Sequence, residues 1–86
     1  MLFRSQLAAG DTSANTALTA GIYRISMRAV GADIRFAIGQ GTQTATATSP
    51  FIADGERLDF AVTSGSNIAV LRDASTDGVL ELTELG

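Results

Sequence analysis

The chain of 86 residues has no cysteine, histidine, tryptophan or lysine, and only one proline. Without cysteine there is no disulfide framework, and without cysteine or histidine there is no ordinary zinc site. Without histidine or lysine, the many serines and threonines lack the usual base that would turn a hydroxyl into a nucleophile. No run approaches the roughly 18 consecutive apolar residues of a membrane span. The start, MLFRSQLAAG, is interrupted by Ser5 and Gln6 and lacks the apolar core of a signal peptide. All basic residues are arginine, and the net charge of −3 argues against nucleic acid as the main ligand. These exclusions point away from an enzyme, and they call for no metal or cofactor.

What is present is alternation. From Tyr23 to Leu85, short runs alternate apolar and polar residues between Gly, Asn, Asp and Pro breaks. A period of two marks half-buried β-strands. Residues 22–30 (IYRISMRAV) put Tyr23, Ile25, Met27 and Ala29 on one face and Arg24, Ser26 and Arg28 on the other. Residues 33–38 (DIRFAI) follow after only Gly31-Ala32, and the short break predicts an antiparallel hairpin. TQTATATS (42–49) has β propensity and small side chains, as expected of a thinly packed edge strand ended by Pro50. Residues 57–63 alternate with Leu58, Phe60 and Val62 inward. Residues 68–72 (IAVLR) are continuously apolar, as in a strand buried on both faces. Residues 79–85 form the last strand.

The expected fold is all-β: a compact antiparallel β-sandwich or small barrel of about six to seven strands over 21–86. Residues 1–20 carry few large apolar residues and weak periodicity, so they read as an extended N-terminal arm. A single domain of this size buries roughly 60–65% of its unfolded surface, which makes homo-oligomerisation or docking on a partner the expected supplement.

The most tempting motif is DASTDGVLELTEL, residues 73–85. Asp73, Ser75, Asp77, Glu81 and Glu84 match the ligand spacing of an EF-hand calcium loop, with Gly78 at its sharp turn. An EF-hand needs a helix on each side, and neither is expected here. The simpler reading is a hairpin with an Asp-Gly turn, with Glu81 and Glu84 on opposite faces. Asp33 and Asp59 read as outward strand positions that pair with Arg35 or Arg57 across strands. For carbohydrate binding a sandwich needs exposed aromatic rings. Phe36 and Phe60 fall on inward faces, which leaves Phe3 and Phe51.

Four segments carry a resemblance: GADIRFAIG, TATATSPFIADGE, LDFAV and the ending SGSNIAVLRDASTDGVLELTEL. Together they make the stretch from about Tyr23 to Leu85 similar to small virion proteins of tailed bacteriophages, of the capsid cement or decoration type. That resemblance implies a β-sandwich on the capsid surface that bridges neighbouring major capsid subunits, commonly as a homotrimer, with neither nucleic acid nor membrane as its partner. The alternatives are a glycan-binding module for a host surface and a head–neck or tail component. Leu2, Phe3 and Leu7 in the arm, and Arg24 and Arg28 on one outward strand face, are the expected partner-facing residues.

Overall fold

The computed structural model describes residues 3–85, and side chains from Ser5 onward. Eight strands occur among the described residues: β1 (Phe3–Ala9), β2 (Ala14–Ala17), β3 (Arg24–Val30), β4 (Ile34–Gln40), β5 (Phe51–Ile52), β6 (Arg57–Ala61), β7 (Ser66–Arg72) and β8 (Gly78–Glu84). They form two four-stranded antiparallel sheets, ordered β1-β8-β3-β6 and β2-β7-β4-β5. This is the strand order of a jelly roll.

Period-two alternation builds the core between the sheets. Ile25, Met27 and Ala29 of β3 and Leu80 and Leu82 of β8 face Ile34 and Phe36 of β4, Ile52 of β5, and Ile68 and Val70 of β7. Phe36 and Phe60 meet edge-on with ring centroids 5.6 Å apart, joining the sheets at the β6 side. Tyr23, read from its parity as part of this face, lies one residue before β3 and is 56% exposed.

Two expected hairpins are instead crossovers. β3 and β4 lie in different sheets, as do β7 and β8. Short connections hide this in the sequence, because three residues suffice either to turn a hairpin or to step between sheets about 10 Å apart. The step at 31–33 uses Gly31 at φ 91°, a conformation favourable only to glycine. Its amide donates to Asp54 Oδ1 at 2.9 Å.

The segment expected as an arm supplies two edge strands. β1 pairs with β8 along its whole length, and β2 pairs with β7. As edge strands they face the core with few side chains, among them Leu7 and Ala9, so their periodicity is faint.

Residues 42–49 form no strand; they are a loop with a turn near Thr46–Ser49. The loop is anchored along the outer face of the β2-β7-β4-β5 sheet. Gln43 N donates to Asn15 Oδ1 at 2.8 Å, Ala45 N to Ser13 Oγ at 2.8 Å, and Arg35 Nη1 to the Ser49 carbonyl at 2.7 Å. Ala45 (3% exposed) and Ala69 (0%) are buried apart from the main core cluster. The small residues beneath make this possible: a Cβ on Gly39 would lie 2.9 Å from Gln43 Nε2. The loop also accounts for the expectation that β7 is buried on both faces.

Candidate docking face

Among the described residues, no such cover lies on the outer face of the β1-β8-β3-β6 sheet. Its strand register aligns Gln6, Glu81, Arg28 and Arg57 in one row across all four strands. The next row contains Thr83, Ser26 and Asp59, and Arg24 stands at the start of β3 on the same side. Ser5, Gln6, Arg28, Arg57, Glu81 and Thr83 line a shallow groove of about 660 Å³.

The charges in this groove are incompletely paired. Arg28 and Arg57 occupy directly opposed positions, where like charges repel. Arg28 Nη1 lies 3.8 Å from Glu81 Oε1, a long contact between half-exposed side chains. Arg57 Nη1 donates to Ser26 Oγ at 3.2 Å. A guanidinium carries several N–H donors in a planar fork, so both arginines keep capacity for a carboxylate from outside.

Of the expected partner-facing residues, Arg24 and Arg28 are exposed on this face. Leu7 faces inward and packs against the core. Leu2 lies outside the described residues, and Phe3 is placed only as the first residue of β1. Gln6 is not singled out by the sequence, and Arg57 and Glu81 read there as a cross-strand pair partner and a calcium-loop position, not as partner-facing residues. Each sits at an outward parity, but the row becomes visible only once β8 and β6 are known to flank β3.

The calcium-like spacing does not converge. Asp73 Oδ1 is held by Arg35 Nε at 2.6 Å, and Asp77 Oδ1 by Arg72 Nη1 at 2.6 Å. Glu81 points outward, while Glu84 is 5% exposed on the inner face. There its carboxylate accepts Thr19 N at 2.7 Å and Thr19 Oγ1 at 3.1 Å, closing that end of the sandwich. Among the described residues, no group of three or more carboxylates could hold a metal ion.

The expected pairing of Asp33 with Arg35 is also replaced, since Arg35 is taken by Asp73. Asp33 Oδ1 accepts Asp54 N at 2.8 Å, so it serves the crossover and not Arg35. Phe51 is 49% exposed, but the Arg35 guanidinium lies 4.9 Å from its ring centroid. A second cleft, lined by Phe36, Ile38, Pro50 and Phe60, opens where the two-residue β5 leaves the rest of β4 uncovered. Comparison with protein-family models, curated proteins and solved structures gives no match.

Proposed function

We propose that the chain is a non-catalytic structural protein of a tailed-phage virion that decorates the capsid and cements neighbouring major capsid subunits. The observation that carries the reading is the pairing of a jelly-roll strand order, an architecture used in viral capsids, with one outer sheet face left open and charged. The resemblance of the Tyr23–Leu85 segments points the same way. The side-chain chemistry agrees with a mechanical role: Asp33, Asp54, Glu56, Asp73 and Asp77 are each engaged by an arginine or a backbone amide. In this reading each copy adds a modest contact, and many copies on a symmetric shell act together through effective concentration.

A glycan-binding reading shares the architecture, since jelly rolls also serve as lectin domains. It ranks second because the exposed ring of Phe51 is already engaged by Arg35, which leaves Tyr23 as a single exposed ring among the described side chains and not a stacking platform. Quantitative mass spectrometry of purified phage particles separates the two. The cement reading expects many copies per particle, in fixed ratio to the major capsid protein. A chain absent from particles, or present in only a few copies, overturns it.

A further inference from the structure

The connections at the two ends of the sandwich differ in charge. Successive strands run in opposite directions, so the links β1–β2, β3–β4, β5–β6 and β7–β8 share one end. Backbone bonds tie these links together: Arg72 N to the Gly10 carbonyl at 3.0 Å, and Asp73 N to the Asp33 carbonyl at 3.1 Å. This end carries Asp11, Asp33, Asp54, Glu56, Asp73 and Asp77, against Arg35, Arg72 and, at its rim where β6 begins, Arg57. The links at the opposite end (18–23, 41–50 and 62–65) contain no charged residue.

The open sheet face has the complementary sign. Its described side chains include Arg24, Arg28 and Arg57 against Asp59 and Glu81. The acidic end looks along the strands and the face looks across them, so one copy cannot set its own end onto its own face. Two faces brought together would set like net charge against like.

We propose that the chain associates with itself head to tail, the acidic end of one copy docking on the Arg28–Arg57 groove of the next. The carboxylates of the incoming loops use the free guanidinium donors and relieve the Arg28–Arg57 repulsion. Such a contact is heterologous: it makes a ring where the rotation closes and a filament where it does not. This inference rests on the same open face as the capsid reading and names a second copy as the occupant of its groove; its failure would leave the copy-number test untouched.

Sedimentation velocity of the full chain tests it. At about 0.01 M salt, where charges act over about 30 Å, dimers and larger species are expected; at about 1 M salt the range falls to about 3 Å and they dissociate. Two variants locate the contact: Arg28→Glu with Arg57→Glu on the face, and Asp11→Lys with Glu56→Lys on the end. Each alone is expected to sediment as a monomer at low salt, and mixing them restores association. Circular dichroism checks folding; should a reversal variant not fold, the neutral pairs R28Q/R57Q and D11N/E56Q replace it with the same expected pattern. A native chain that stays monomeric at low salt overturns the proposal. So do variants that associate as the native chain does, or a mixture that stays monomeric.

Discussion

The two outer faces of the sandwich each belong to a four-stranded antiparallel sheet, yet one is closed by the chain itself and the other is open among the described residues. On the β2-β7-β4-β5 sheet, Gly39 and Ala69 are small enough for residues 42–49 to lie against them. On the β1-β8-β3-β6 sheet, the corresponding positions carry Glu81, Arg28 and Arg57, whose length and charge leave no seat for a loop. Side-chain size on an outward face thus decides whether this chain covers a β-sheet from within or leaves it open.

The comparison can be broken by substitution. The largest effect belongs to the inner face that both sheets share: Ile68→Ala should cost about 2–5 kcal/mol in urea unfolding, from lost burial and the cavity left behind. Ala69→Leu comes next. It forces a larger side chain under the loop and should cost about 1–3 kcal/mol. The matched change Ala8→Leu, at an exposed outward position of β1, should stay within about 0.5 kcal/mol of the native chain. Equal tolerance at the two sites would mean that the loop does not close its face.

Asn15→Ala removes the acceptor for Gln43 N and should cost about 0.5–1.5 kcal/mol, with faster amide exchange at Gln43 and Ala45. The smallest effects belong to the open face. Arg28→Ala and Arg57→Ala should each change stability by less than about 0.5 kcal/mol, because exposed ion pairs contribute little and each change relieves a like-charge contact. A loss well above that value at either arginine would make the row part of the fold and not a surface kept for docking.

The strands were legible in the sequence wherever one face is apolar. Ile25, Met27, Leu80 and Leu82 face the core as their parity requires. Pairing was not legible. Parity says which way a side chain points but not which strand lies beside it, and so 31–33 and 73–77 read as hairpins although they step between sheets. Within the segment 1–20 read as an arm, β1 and β2 were missed for a related reason: edge strands need few large apolar residues, and β2 (ANTA) has none. Thr and Ala alternation at 42–49 satisfied β propensity, but the backbone there bonds to Asn15 and Ser13 side chains in place of a ladder. The candidate docking face was half visible: Arg24 and Arg28 lie on β3 itself, whereas Glu81 and Arg57 join them from strands far along the chain.

The direct measurement of the difference between the faces is an NMR concentration series at low salt. Concentration-dependent shifts are expected at Arg28, Arg57 and Glu81, and in the loops at 53–56 and 73–77, while residues 42–49 and Ala69 stay unmoved. Shifts concentrated in the 42–49 loop, with the arginine row unchanged, would contradict the account.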